Sequence, residues 1–243
     1  MNPERRLGCP LEAGWLFRRH GVGLMHLARK VRNVLRGWVQ AYGTTTLKAY
    51  LWNLEFSRGR WNCLDSTPGD CVYQYVERYA NAGSILDLGC GSGSTGNELT
   101  PTTYHHYTGV DISEVAIAKA RRRTEENGRG DKNRHFQSDL LEYAPTQQFD
   151  VILFRDSIYY VARGKIKAML YRYSTYLKEG GVFIVRMADG SGEYKQIMDT
   201  IENHFEVLGT YSFDRPKAVV MIFRSRCWIE SSPDVFQRGA QDH

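Results

Sequence analysis

The chain has no apolar run near the roughly 20 residues needed to cross a bilayer, and no signal-peptide pattern follows Arg5 and Arg6. A cytoplasmic protein is expected. Five cysteines (Cys9, Cys63, Cys71, Cys90 and Cys227) include no Cys-x-x-Cys pair. That argues against a zinc site and for reduced thiols. The chain also lacks internal repeats and low-complexity tracts.

What is present is globular in balance: 243 residues, 42% apolar and 24% charged. The net charge of +5 is uneven. Residues 1–60 hold 11 Lys+Arg against 3 Asp+Glu, and the remainder holds 21 against 24. The basic character belongs to the N-terminal part. Three regions are expected: a helical extension or cap over residues 1–80, an α/β domain over 81–225, and a polar tail over 226–243.

Within the extension, Leu24, Leu27, Ala28, Val31, Val34, Leu35 and Trp38 recur at helical spacing, with Arg29, Lys30, Arg32, Asn33 and Arg36 largely off that stripe. The plain expectation is a basic amphipathic helix whose stripe packs on the domain. Residues 18–40 are also a candidate contact for an anionic membrane or for RNA. A second helix is expected through Leu47, Tyr50, Leu51 and Leu54, with Tyr42, Trp52, Phe56 and Trp61 as aromatic walls over the site.

From Asn81 onward strand-like and helix-like patterns alternate, the pattern of a parallel sheet with crossover helices. Strands are expected at 84–90, 104–112, 133–140, 149–155 and 182–187. Helices are expected over 93–99, from Ser113 to Asn127, from about Gly164 to Gly180-Gly181, and over 192–204. The last two strands, 205–213 and 218–224, are joined by so short a turn that they must be antiparallel.

The densest signal is Ser84-Ile85-Leu86-Asp87-Leu88-Gly89-Cys90-Gly91-Ser92-Gly93. An apolar strand breaks into a glycine turn, which lets backbone lie against a nucleoside. Three acids fall near successive strand ends: Asp87, Asp111 and Asp139. In an open parallel sheet the ligand crosses these ends. Asp111 suits ribose hydroxyls, and Asp139 suits an adenine amino group. Asp87 beside the turn would repel a pyrophosphate but attract an ammonium and a sulfonium. The expected ligand is S-adenosylmethionine rather than a dinucleotide.

These residues carry a resemblance. Leu86 to Gly93, then Gly109-Val110-Asp111-Ile112-Ser113, Ser138-Asp139-Leu140, Phe149 to Leu153, and Leu177 to Gly181 occur in order. The sequence resembles the class I S-adenosylmethionine-dependent methyltransferases from Ile85 to about Arg224. The resemblance implies a Rossmann-like α/β fold whose seven-stranded sheet has the order 3-2-1-4-5-7-6, with strand 7 antiparallel and helices on both faces. It implies S-adenosyl-L-methionine as cofactor, S-adenosyl-L-homocysteine as product and no metal. The implied cofactor residues are Asp87, Gly89, Cys90, Gly91, Gly93, Asp111, Ile112, Asp139, Leu140 and Arg155. The acceptor would be a small molecule methylated at O or N, above the segment after the fourth strand. There Asp156 is the candidate base, and Tyr159 and Tyr160 are candidate orienting groups. Arg155 and Arg186, ending neighbouring strands, suggest an anionic acceptor; the alternative is that each pairs with a nearby Asp. The other readings are a non-catalytic cofactor-binding scaffold acting through its basic N-terminal helix, and a methyltransferase acting on RNA or a lipid-linked substrate. His105, His106, His135 and His204 fall near strand starts and read as structural; His20 and His26 are weak candidate bases.

Overall fold

The computed structural model describes residues 34–188 and 194–226. The expectations on Leu24 to Val31, His20, His26, Cys9, Asp189, Cys227 and the tail beyond 226 lie outside the described residues.

Seven strands form one sheet: β1 Ser84–Leu88, β2 His106–Asp111, β3 Asn133–Gln137, β4 Phe149–Arg155, β5 Leu177–Met187, β6 Glu206–Asp214 and β7 Lys217–Arg224. Their order is β3-β2-β1-β4-β5-β7-β6. β7 runs antiparallel to both β5 and β6, while the other pairs are parallel. This is the expected Rossmann-like sheet.

The central strands are buried on both faces, so they read as continuous apolar runs. On one face Leu86, Leu88, Ile152, Phe154, Phe183 and Val185 pack against α6 (Arg163–Ser174) and α7 (Lys195–His204) through Ile166, Leu170, Ile197 and Ile201. On the other, Ile85, Val151, Leu153 and Ile184 meet Val72, Val76 and Ala80, at and within α3 (Tyr73–Ala80). Helix α3 was not expected, and it shares the sheet's core. The division expected at residue 80 therefore cuts through packed apolar side chains. Helix α4 (Ser94–Glu98) is a single short turn after the glycines, and α5 (Glu114–Glu126) is capped by Ser113, whose hydroxyl accepts from Ala116 N–H at 3.1 Å.

Two further boundaries differ from expectation. β5 begins at Leu177, so Gly180 and Gly181 lie inside it rather than ending a helix. The β4–β5 register shifts between Phe149 and Val151, and Gly180 has φ 75°, which marks an irregular strand entry. β3 stops at Gln137, which leaves Asp139 in the following loop.

Ahead of the sheet lie two helices, α1 (34–42 in the described part) and α2 (Thr45–Ser57). Thr44 caps α2 by accepting from Leu47 N–H at 3.3 Å. The amphipathic expectation fails for the described part of α1. Val34, Leu35 and Trp38 are exposed, whereas Gln40 is buried and Arg36 Nε lies 2.6 Å from the buried Glu55 carboxylate. A buried, charge-bearing inner face leaves the apolar stripe outward. The expectation of reduced thiols holds at Cys71 and Cys90 and is corrected at Cys63, which is disulfide-bonded.

Candidate active site at the strand ends

The carboxyl ends of β1, β2 and β4 meet the loop after β3 around one pocket. Its wall includes Gly89, Gly91, Asp111, Ile112, Asp139 and Leu140 from the sheet side, and Lys48, Trp52, Phe56 and Trp61 from the N-terminal segment. Most of the expected cofactor residues therefore come together.

The glycine turn is required by both conformation and space. Gly89 has φ 87°, and a Cβ there would lie 2.4 Å from Ser157 Cβ. Gly93 has φ 77°, and its Cβ would lie 2.8 Å from that of Ala120 on α5. The turn is thus clamped between the β4 loop and α5. Ser157 adds a hydrogen bond, donating to Leu88 O at 2.5 Å. Cys90 is buried, and burial, followed by the Asp111 and Asp87 charges, pushes its thiol up. It packs as a small apolar side chain rather than reacting.

Asp87 is fully buried. Its Oδ2 accepts from Tyr107 Oη at 2.7 Å, and its Oδ1 has no hydrogen-bond partner among the described residues. Burial raises its pKa, opposed by the Tyr107 hydroxyl, then by Arg155 and Thr95. Such an orphaned carboxylate oxygen is costly unless a donor or cation reaches it. It lines a cleft with Gly89, Gly91, Ser94 and Phe56, next to the main pocket.

Asp111 is held by two backbone donors, Ser113 N–H on Oδ1 at 2.8 Å and Gly91 N–H on Oδ2 at 2.9 Å. Burial nevertheless lifts its pKa to about 6. Each oxygen keeps a lone pair for a further donor. Asp139 Oδ1 accepts from Leu141 N–H at 2.9 Å, and its Oδ2 lies 3.4 Å from Lys48 Nζ. Lys48 was not expected here; nothing local in the sequence marks a contact 91 positions away.

Helix α2 lies across this edge. Asn53 Oδ1 accepts from Ser113 Oγ at 2.7 Å, Thr45 Oγ1 donates to Glu142 at 2.8 Å, and Lys119 Nζ donates to Phe56 O at 3.3 Å. On its inner side Trp52 meets Tyr160 edge-on, centroids 4.9 Å apart, with Trp61 at 5.6 Å and Phe56 at 6.3 Å. Trp52, Phe56 and Trp61 form the expected aromatic wall, but Tyr42 does not, being 60% exposed.

The expectation of a free guanidinium pair is corrected. Arg155 and Arg186 are paired across β4 and β5, and both are committed. Arg155 donates to Asp70 Oδ2 from Nη2 at 2.8 Å and from Nε at 3.2 Å, and to Ser94 Oγ from Nη1 at 3.0 Å. Arg186 donates from Nη1 to Asp156 Oδ2 and has its Nε 3.8 Å from Asp70 Oδ1. Burial opposes charge on Asp70, but Arg155 and Arg186 overcome it and hold the carboxyl below its usual range. Neither arginine is left to receive an anionic acceptor, and Arg155 braces the start of α4 through Ser94 instead.

Asp156 is likewise not a free base. Its other oxygen accepts from Ala188 N–H at 2.9 Å, and its backbone has φ 54°. Tyr159 stacks on Tyr194 at 4.6 Å, with its hydroxyl buried and lacking a hydrogen-bond partner among the described residues. Burial, then Asp156, raises its pKa well above the ordinary value. Of the three candidates Asp156 and Tyr160 line the pocket, and the Tyr160 ring packs against Trp52 and Tyr159 with centroids 4.9 and 4.8 Å away. His105 bonds Ala82 O at 2.7 Å and His106 bonds Thr108 at 3.1 Å, both by the start of β2 and away from this edge. Among the described residues no cluster of His, Cys, Asp or Glu could hold a metal ion.

The family model described as a methyltransferase domain matches residues 86–183. The observed sheet order is the one that the resemblance to the class I S-adenosylmethionine-dependent methyltransferases implies. Sterol 24-C-methyltransferase ERG6B of Gibberella zeae is 29% identical over 100 residues, covering 41% of this chain and 26% of that protein. The mRNA cap guanine-N(7) methyltransferase of Schizosaccharomyces pombe is 30% identical over 112 residues, covering 41% of this chain and 30% of that protein. The matched stretch thus spans less than a third of either relative. The N-methyltransferase NodS of Bradyrhizobium japonicum WM9, crystallised with S-adenosyl-l-homocysteine, superposes with TM-score 0.57 at 15% identity, covering 72% of this chain and 98% of that one. This last likeness is one of fold.

Proposed function

We propose that the protein binds S-adenosylmethionine at the carboxyl edge of β1 to β3 and transfers its methyl group to O or N of a small acceptor. The observation that carries this reading is the unpartnered, fully buried Asp87 Oδ1 beside the glycine turn. A buried anionic oxygen aimed at a ligand site fits an ammonium and disfavours a pyrophosphate. Asp111 would accept from the ribose hydroxyls, with Gly91 N–H holding it in place. Asp139 would accept from the adenine amino group. The committed guanidiniums and the aromatic wall of Trp52, Trp61 and Tyr160 support a largely apolar acceptor rather than an anionic one.

When bound, the cofactor supplies a methyl carbon already activated by its sulfonium. The chain's own contribution is alignment and exclusion of water. Helix α2 closes one side through its polar ties to Ser113, Glu142 and Lys119. Trp52 and Tyr160 fix the plane of whatever enters. No committed base is needed for an acceptor that is already deprotonated or carries a free lone pair.

The test is release of S-adenosylhomocysteine from S-adenosylmethionine across a panel of apolar amines and phenols. Turnover on neutral acceptors above any on their carboxylated analogues supports the reading. Tight cofactor binding without turnover on any acceptor supports the second reading, a cofactor-binding scaffold. That reading is favoured by the engagement of both Asp156 oxygens.

A further inference from the structure

We propose that the outward face of α1 and the start of α2 is a docking surface for an anionic phospholipid membrane. Val34 is 71% exposed, Leu35 59%, Trp38 61% and Tyr42 60%, and they repeat at the spacing of one helix face. Trp38 and Tyr42 lie together, ring centroids 6.0 Å apart. On α2 the same outward character continues one turn apart at Leu47 (46% exposed) and Tyr50 (65% exposed). Six large apolar side chains in water on two consecutive helices are not the ordinary scatter of a soluble surface.

The inner faces explain why the stripe is outward. Arg36 is drawn to Glu55, which also accepts from Trp61 Nε1 at 2.9 Å, and Lys48 is drawn to Asp139. Trp52 and Phe56 of α2 turn to the pocket. The polar ties and the pocket wall use one side of these helices, leaving the apolar side unpartnered.

Charge decides the occupant. From Ala13 to Leu54 the sequence contains no Asp or Glu, and besides the inward-turned Arg36 and Lys48 it holds five Lys+Arg, at Arg18, Arg19, Arg29, Lys30 and Arg32. A basic stretch carrying exposed Trp, Tyr and Leu is the composition of a segment lying in a lipid headgroup layer, where aromatic rings sit at the interface and cations face lipid phosphates. RNA binding would use the charge but gain little from Val34, Leu35 and Leu47. A second copy of the chain would bring the same acid-free stretch against itself, with cations repelling cations. Docking would set the outer side of the pocket's lid on the bilayer, and this inference stands whether or not methyl transfer is the activity.

The experiment is co-sedimentation of the full chain with vesicles of phosphatidylcholine alone or mixed with phosphatidylglycerol, at low and high salt. The expected result is binding to the mixed vesicles at low salt, weakened by salt. A Leu35→Ser/Trp38→Ser double variant should lose about tenfold in partitioning while its S-adenosylhomocysteine titration and melting curve stay unchanged. The proposal is overturned if the wild type stays in the supernatant with both vesicles, or if the variant binds as well as the wild type. Self-association without vesicles that the variant abolishes would assign the face to a second copy instead.

Discussion

Arg155 and Asp70, 85 positions apart in the chain, form a two-pronged ion pair, with side chains only 9% and 6% exposed. Asp70 sits in the loop before α3, where its other oxygen accepts from Val72 N–H at 3.0 Å. Arg155 ends β4, so the pair ties the loop before α3 to the carboxyl edge of the sheet. Arg155→Met should therefore act on stability first. Removing one partner strands a buried carboxylate, a cost of roughly 3–5 kcal/mol. Urea unfolding of Arg155→Met, Asp70→Asn and the double variant should show strong coupling, with the double less damaging than the sum. Additive losses would mean that the two residues act independently.

Asp111 predicts a pH dependence. Its pKa is lifted to about 6 from 3.8 by burial. The ionised form is the one that accepts from two hydroxyls, so protonation competes with the ligand. Affinity for S-adenosylhomocysteine should be level above that value and fall by up to about tenfold per pH unit below it. Asp87, also raised by burial, would steepen the fall. Calorimetric titrations from pH 5 to pH 8 check the sign. Affinity rising on acidification would show that Asp111 does not bind as a carboxylate.

Gly89→Ala tests the turn. The new Cβ would meet Ser157 Cβ at 2.4 Å while the backbone stays at φ 87°. Left-handed backbone and overpacking together should cost roughly 3 kcal/mol. Ser157→Gly in the same chain should recover the overpacking part, less the loss of the Ser157 hydrogen bond to Leu88 O, which Ser157→Gly alone measures. Thermal melts of the single and double variants separate the two contributions.

Trp52→Ala removes the ring that contacts Tyr160, Trp61 and Phe56 at once. Because Trp52 is half-buried on a lid and outside the main core, the expected loss is in affinity more than in fold. About a tenfold weaker S-adenosylhomocysteine titration is expected, with a fall in melting temperature of only a few degrees. A large melting shift with unchanged affinity would place Trp52 in the core's support instead.

Much of this was legible in the sequence, for physical reasons. Strands buried on both faces leave apolar runs, and the Gly89-to-Gly93 turn needs residues without a Cβ, so β1, β4 and the pocket edge could be read directly. Asp87 and Asp111 fall near the ends of β1 and β2 as the sheet's geometry implies, whereas Asp139 lies in the loop after β3. The fate of Arg155, Arg186 and Asp156 could not be read, because it depends on β4–β5 register and on Asp70, whose spacing to Val72 looks like an ordinary helix cap. The orientation of α1 was misread because an apolar stripe was assumed to face the domain. The pull of Glu55 on Arg36 decides otherwise, and it comes from the next helix. Gly180-Gly181 looked like a helix stop and is instead an irregular strand entry.

The proposed cofactor site is built from the acids of β1 and β2 and of the loop after β3. Its most direct measurement is a calorimetric titration of the full chain with S-adenosylhomocysteine, alongside the near-isosteric Asp111→Asn variant and with a nicotinamide dinucleotide as competitor. The account predicts one-to-one binding by the wild type, about 30-fold weaker in the variant through loss of charge-assisted hydrogen bonds, and no displacement by the dinucleotide. Absence of binding by the wild type, equal affinity in the variant, or displacement by the dinucleotide would contradict it.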